Sequence, residues 1–432
     1  MRISTVQAFN NAISGLQRNY ADLTRSQEQI STGKRILTPA DDPVAAARLL
    51  QLEQEKSLYD QFQANLTAAK NSLTQEESIL TSIDNVMQRV REIAVQAGNG
   101  AQDRTDKAAL AKELREREEE LLNLLNSRNA RGEYLFAGNL GKTEPFFFDG
   151  TNPAGPYLYQ GDEGQREIQI ASSTFVPIND NGKVLFENSF NANRVTTAAA
   201  GANTGAGRIS LGIVEDKIAY DSVFPRSNPP AATDGMAVYF TSDRDYVIYD
   251  QANPPLSGLP PTLPDANVLQ VGQLDDNPNE SDTIRYGGVR VQFDGVPVAG
   301  DSFTINRNPT LEKRSLLNTV YDLRVALENA QDNPAGNLAV RDAVAVAITN
   351  VDNVYSKVLE GRGEIGARLN VVESTEFFNQ DVTLINQGVQ SDLRDLDYAD
   401  ALSRLSYQEI ILQASQQSFV RISSLSLFDV LR

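Results

Sequence analysis

Apolar residues at alternating steps of three and four open and close this chain. From residue 6 the series holds Val6, Phe9, Ile13, Leu16, Tyr20, Leu23, Gln27 and Ile30, and only Gln27 is polar. A repeat averaging 3.5 residues keeps one narrow stripe on one side of a helix, and that stripe needs a partner. Near the other end Tyr398, Ala401, Leu405, Gln408, Leu412, Ser415, Phe419 and Ile422 keep the same steps. Two seams at opposite ends of one polypeptide are satisfied most simply by each other and by the ends of further copies. The candidate subunit- and helix-pairing residues are therefore Val6, Phe9, Ile13, Leu16, Tyr20, Leu23, Ile30, Tyr398, Leu405, Leu412, Phe419 and Ile422.

The first helix is expected to stop at Ser31-Thr32-Gly33, where glycine supplies the left-handed turn. Asp41-Asp42-Pro43 then starts a second helix. Asp42 can accept from first-turn amides, and Pro43 has no amide to leave unpaired. Pro43 and the Ala-rich run behind it favour this cap over a carboxylate pair for metal or acid/base work. Tyr59, Phe62, Leu66, Ala69, Leu73, Glu76, Leu80, Ile83, Met87, Val90, Ala94 and Ala97 continue the three/four steps, broken only by Glu76. One helix over 43–97 would be about 80 Å long at 1.5 Å per residue. A stripe of that length needs partner helices along nearly all of it. Gly98-Asn99-Gly100 ends it, and a further helix is expected from Thr105 to about Asn129. Its Leu110, Leu114, Leu121, Leu124 and Leu125 face inward, and Arg115, Glu116, Glu118, Glu119 and Glu120 mostly outward. Arg131–Gly138 reads as a short strand or hairpin.

After Lys142 the pattern changes. Fifteen of the 18 prolines lie between Pro145 and Pro309, and heptad spacing gives way to short alternating runs. Strands are predicted at Tyr157–Gln160, Glu167–Ala171, Lys183–Phe186, Ile209–Val214, Ala237–Thr241, Tyr246–Tyr249, Val289–Phe293 and Ser302–Ile305. Thr196–Gly207 reads as a linker at which the insert can divide in two. Asn253–Pro264, with five prolines, reads as an exposed loop. Asp275, Asp276 and Asp282 lack the glycine and glutamate spacing of a calcium loop. Helix returns after Pro309, with Thr310 as its cap, and breaks at Asp332–Gly336. A long helix then carries Val344, Ile348, Val351, Tyr355, Val358, Ile365, Leu369 and Val372, with Val382, Ile385 and Val389 continuing the seam. Gly361, Gly363 and Gly366 inside it mark close packing or a bend.

The fold class is mainly α with a β insert, an α+β multidomain chain. Long antiparallel coiled-coil-like helical arms from both termini flank a β-rich outer domain in the middle. The expected domains are 1–32 plus 390–432, the terminal helices, disordered or weakly ordered in the monomer because their seams carry polar members; 33–142 plus 309–389, a helical rod; and 143–308, β-rich, either one fold or two subdomains split near 196–207.

Composition narrows the function. The chain has no Cys and no His, which removes thiolate and imidazole chemistry and the usual zinc ligand sets. No enzyme activity, cofactor or metal is expected. A net charge of −18 disfavours nucleic acid and anionic membranes as partners. No apolar run approaches the roughly 18 residues of a transmembrane helix, and Met1–Thr5 leads straight into an amphipathic helix rather than a signal peptide. That points to the cytoplasm, or to export by a route that reads no such signal.

Several segments resemble the bacterial flagellin superfamily. Ser31–Pro43, with its Ser/Thr-Gly-basic stretch leading to paired aspartates, is similar to the family's amino-terminal loop. Gln88–Gln96 resembles its core helix, and Glu364–Asn370 the carboxyl-terminal counterpart. Pro43 after the aspartates, Tyr134–Gly138 before the insert, Gly295–Ile305 closing it, and Leu412–Ser415 with Leu425–Phe428 depart from filament flagellins and resemble the hook-associated members. The resemblance implies a structural subunit that connects the hook side to the filament by ring assembly, with the terminal helices as inner tube. Filament flagellin itself is the alternative. Implied partners are copies of itself, another hook-associated protein, filament flagellin, and an export chaperone on the carboxyl-terminal helix. Implied too are an extracellular location on the flagellum and export by the flagellar type III apparatus without a cleaved signal. Some flagellins carry a metallopeptidase in the outer domain, but its His-Glu-x-x-His cannot be built from a chain without His.

Overall fold

The structure, a computed structural model, describes residues 5–224, 235–277 and 280–430; the side chains of 5, 6, 8 and 422–430 lie outside that description. Seven α-helices are present among the described residues: α1 (Thr5–Thr32), α2 (Pro43–Ala97), α3 (Arg104–Leu125), α4 (Lys217–Val223), α5 (Leu316–Glu328), α6 (Pro334–Arg394) and α7 (Tyr398–Val430). The chain forms two compact units. The first comprises Met1–Thr67, Gln169–Thr174 and Val372–Arg432; the second comprises Ala68–Ile168 and Phe175–Val371.

Helix boundaries follow local chemistry. Gly33 takes a φ of +69° and ends α1. The Asp42 carboxylate accepts from the Ala45 amide at 3.0 Å, capping α2 directly before Pro43. Asp103 and Asp106 form a reciprocal capping box on α3. Ser315, rather than Thr310, caps α5 by accepting from the Asn318 amide. Pro309–Leu311 is instead a single 3₁₀ turn capped by Asn308.

In the second unit the α2 stripe from Ala69 to Ala97 is buried, Glu76 included. Leu110, Leu114, Leu121 and Leu125 of α3, Leu316, Val320, Leu323 and Leu327 of α5, and Val344, Val351, Val358 and Ile365 of α6 are buried too. Glu118, read from sequence as outward, is also buried. Its carboxylate receives Arg324 Nε at 2.7 Å and Tyr157 Oη at 2.7 Å, so α3 and α5 are joined by a charge that is paired and hydrogen-bonded. Gly361 lies against the Leu185 side chain, whose Cδ2 would be 2.8 Å from an added Cβ; Gly363 and Gly366 have open space. Only the first glycine therefore marks close packing, and α6 is continuous through all three.

The β region contains an antiparallel five-stranded sheet. It is built from β5 (Val195–Ala199), β8 (Gly235–Phe240), β9 (Asp245–Asp250), β10 (Val268–Gln273) and β13 (Ser302–Arg307), in the order β10-β9-β8-β13-β5. In a second sheet β11 (Asp282–Tyr286) pairs with β12 (Val289–Asp294), which also pairs with the two-residue strands β6 (Arg208–Ile209) and β7 (Ile213–Val214). Side chains of both sheets share one core, in which the rings of Phe240, Phe293 and Phe303 meet at 4.8–5.9 Å between centroids. This is a β-sandwich. Two small hairpins complete the strands: β1 (Phe146–Phe148) with β2 (Tyr157–Tyr159), and β3 (Glu167–Ala171) with β4 (Thr174–Pro177).

Three further expectations change. Lys183–Phe186 is a π-helical turn, Lys183–Glu187, because Leu185 and Phe186 are both buried and consecutive inward residues do not fit a strand's period of two. For the same reason Arg131–Gly138 makes only isolated bridges: Tyr134, Leu135, Phe136 and Ala137 are all buried. Thr196–Ala199, read as part of a linker, belongs to edge strand β5, whose five residues pair in register with Phe303–Arg307. Small residues suit it because one neighbour strand suffices at an edge.

Candidate assembly interface

Within the first unit α1 and α7 lie side by side and antiparallel. Phe9 meets Phe419 with ring centroids 5.2 Å apart, Asn19 Nδ2 donates to Ser415 Oγ at 3.0 Å, and Gly33 accepts from the Leu396 amide at 2.9 Å. The junction is held by backbone. The Arg35 amide donates to the Arg394 carbonyl at 2.7 Å, and the Arg35 guanidinium donates to the Leu393 carbonyl. Gly33 is also a close approach, since a Cβ there would lie 3.0 Å from Tyr398 Oη. Asp41 accepts from the amides of Leu37 and Thr38 and pairs with Arg25 at 2.6 Å; these backbone bonds hold its carboxyl below the usual range. Asp41 thus orders a loop. Among the described residues no acidic group of the size a metal needs is present.

The proposed pairing residues divide into covered and open ones. Leu23 is buried, and Ile13, Leu16 and Ile30 are half-buried, whereas Phe9 and Tyr20 remain exposed. On α7 the half-buried line is Leu405, Gln408, Leu412, Ser415 and Phe419, with Ala401 buried and Tyr398 exposed. The side chains of Val6 and Ile422 lie outside the described residues. On α1 the covered line includes Ala12, Asn19 and Ser26, seven residues apart, whereas Tyr20 and Gln27 are open. That heptad of small residues, continuing to Gly33, is a signal the apolar series hid.

Of the α6 seam's continuation Val382 is half-buried, and Ile385 and Val389 are turned outward. Phe377, Phe378, Leu384 and Ile385 are 60–69% exposed, and Val389 is exposed as well. The covered positions of the same stretch are Val372, Asn379 and Gln390. Asn379 reaches its cover by donating to the Ile170 carbonyl at 3.3 Å. Val44, Leu50 and Leu58 of α2 and Leu402, Tyr407, Ile410 and Val420 of α7 are exposed too. Burying a large apolar side chain is worth about 1.5–3 kcal/mol, so a set of this size left open on one unit is a candidate surface for contact with other protein.

Residues 3–140 match the bacterial flagellin N-terminal helical region and residues 348–431 the bacterial flagellin C-terminal helical region, together just over half of the chain. The chain is 35% identical over 195 residues to flagellar hook-associated protein 3 of Salmonella typhimurium, covering 45% of this chain and 59% of that relative. It is 24% identical over 430 residues to flagellar hook-associated protein 3 of Escherichia coli, covering 100% of this chain and 99% of the relative. Among solved structures, flagellar hook associated protein-3 of Legionella pneumophila is 27% identical and superposes with a TM-score of 0.62, over 79% of this chain and 98% of that one. Matched along both helical arms, and aligned end to end with a hook-associated relative, the chain belongs to the bacterial flagellin family.

Proposed function

We propose that this chain is a structural subunit of the bacterial flagellum that joins the hook side to the filament, assembling as a ring through its first unit and performing no catalysis. The observation that carries the reading is the inverted α6 stretch, where polar Asn379 and Gln390 are covered while Phe377, Phe378, Leu384 and Ile385 face out. Copies of the same chain would bury that strip. The pairing residues of α1 and α7 would gain neighbours in the same step, since their seam includes Asn19, Gln408 and Ser415 and is weak alone. Partners on the two sides of the ring would be another hook-associated protein and filament flagellin, and an export chaperone would hold α7 before assembly. Such a subunit works outside the cell and leaves by the flagellar type III route without a cleaved signal. No described helix is long and apolar enough to cross a membrane, and the charge of −18 suits neither nucleic acid nor anionic lipid.

Electron microscopy of tagged protein on intact flagella tests this reading. Label is expected at the boundary of hook and filament. Label along the filament, or polymerisation of the purified chain into long filaments, would favour a filament flagellin instead.

A further inference from the structure

In the second unit three cations gather around one phenylalanine of an otherwise acidic chain, with a fourth near by. The Arg194 guanidinium lies 5.0 Å from the centroid of Phe190, Lys217 Nζ 4.5 Å and Lys313 Nζ 5.9 Å. Arg194 also stacks on Tyr220 at 4.4 Å. Arg307 completes the group, its charge felt at both Arg194 and Tyr220. Two carboxylates answer these charges: Glu312 takes Arg307 Nε at 2.7 Å, and Asp221 pairs with Lys217. Among the described residues Arg194 and Lys313 have no ion-pair partner.

Arg194 is 2% exposed, and among the described residues its Nε and Nη1 have no hydrogen-bond acceptor. Tyr220 is equally buried, and among the same residues its hydroxyl and Arg307 Nη1 find no partner either. A buried guanidinium with unmet donors is costly, because aromatic faces return only part of the lost hydration. Burial accordingly holds the Arg194 guanidinium below its usual range and pushes the Tyr220 hydroxyl up to about 12. The surrounding backbone is fixed. The Asn308 amide donates to the Arg194 carbonyl at 2.9 Å, the Asn191 amide to the Glu312 carbonyl at 3.0 Å, and Asn353 Nδ2 to the Phe190 carbonyl at 3.0 Å. The backbone that carries Phe190 and Arg194 is thus anchored, and the guanidinium itself is packed against the rings of Phe190 and Tyr220.

We propose that Arg194, Arg307 and Tyr220, flanked by Lys217 and Lys313, bind one oxyanion of the carboxylate or phosphate kind. Planar guanidinium forks match such oxygens, and the tyrosine hydroxyl adds a neutral donor that stays protonated at neutral pH. The anion would come either free from solution or as an acidic side chain of a second copy, whose surface is rich in carboxylates.

The test titrates the full chain with inorganic phosphate against chloride at constant ionic strength, reading melting temperature and sedimentation. A saturable rise in melting temperature is expected, absent in Arg194→Met. In Lys313→Gln, at an exposed position, the apparent affinity is expected to weaken roughly two- to five-fold, as for one exposed charge. Arg194→Met keeps the side-chain volume and removes an uncompensated charge, so without phosphate it is expected to melt no lower than the parent. If phosphate also dissociates associated chains, and Arg194→Met prevents association, the natural anion is the carboxylate of a second copy. If association is unchanged, it is a free anion. The proposal is overturned if phosphate and chloride give the same melting curve, or if Arg194→Met responds to phosphate like the parent; either result assigns the donors to internal water. None of these readouts depends on the location of the protein on the flagellum.

Discussion

The backbone amide of Asp180 donates to the Glu76 carboxylate at 2.9 Å inside the second unit, joining α2 to a segment 104 residues away. Asp180 in turn accepts from Arg368 of α6 at 2.8 Å and from Gln165 at 2.6 Å. The one residue that breaks the α2 stripe is therefore its link to the neighbouring segments.

Burial of that link favours a proton on the Glu76 carboxyl. Burial, then the charge of Asp180, raises the Glu76 carboxyl to about 8, against the pull of the Asp180 amide, Arg368 and Arg166. Because the folded state holds this proton more tightly than the unfolded chain, its contribution is fully present below about pH 4.5 and is lost as pH rises through about 8. Glu76→Gln is expected to flatten this part of the stability profile and to melt higher than the parent at pH 9, by an amount on the order of a few kcal/mol. Urea unfolding at pH 6 and pH 9 measures it; an unchanged pH slope in the variant would mean that Glu76 is not the titrating group.

Glu118 and Arg324 form a pair whose loss is asymmetric. Glu118→Ala leaves the Arg324 charge buried, with Glu328 as its remaining ion-pair partner among the described residues, and is expected to cost about 3–5 kcal/mol. The double change Glu118→Met with Arg324→Leu removes both charges and should recover most of that loss. Equal destabilisation of single and double variants in urea would contradict the account.

Two glycines two residues apart on α6 predict opposite outcomes. At Gly363 an added methyl meets nothing within 4 Å, so Gly363→Ala should stabilise by about 0.5–1 kcal/mol through helix propensity. At Gly361 the same methyl would meet Leu185 at 2.8 Å, and crowding of about 1–3 kcal/mol outweighs the helical gain. Paired thermal melts decide this directly.

Ile385, 64% exposed, offers a test that separates assembly from folding. Ile385→Asp should leave the monomer's stability within the change expected of a surface substitution, about 0.5 kcal/mol, while abolishing association. Leu405→Asp is a less clean test, because Leu405 is half-covered and a charge there also weakens the α1–α7 pair. Loss of monomer stability in Ile385→Asp would place that side chain in the subunit's own core instead.

Sequence by itself determined the long helices and the ends of α1 and α2, though not the cap of α5, which is Ser315 rather than Thr310. The three/four spacing from Phe62 to Ala97 reappears as a buried line, Asp42 and Pro43 start α2, and Gly33 ends α1, because each depends on neighbours a few residues away. The alternating runs likewise become β8, β9, β12 and β13 within a residue or two. Only the tertiary structure decided which face of each periodic segment is covered. Ile385 and Val389 keep the seam spacing yet face outward, while Glu76 and Glu118 are charged yet buried. Periodicity states that a stripe exists, but cover and charge pairing come from residues such as Asp180 and Arg324, more than 100 positions away.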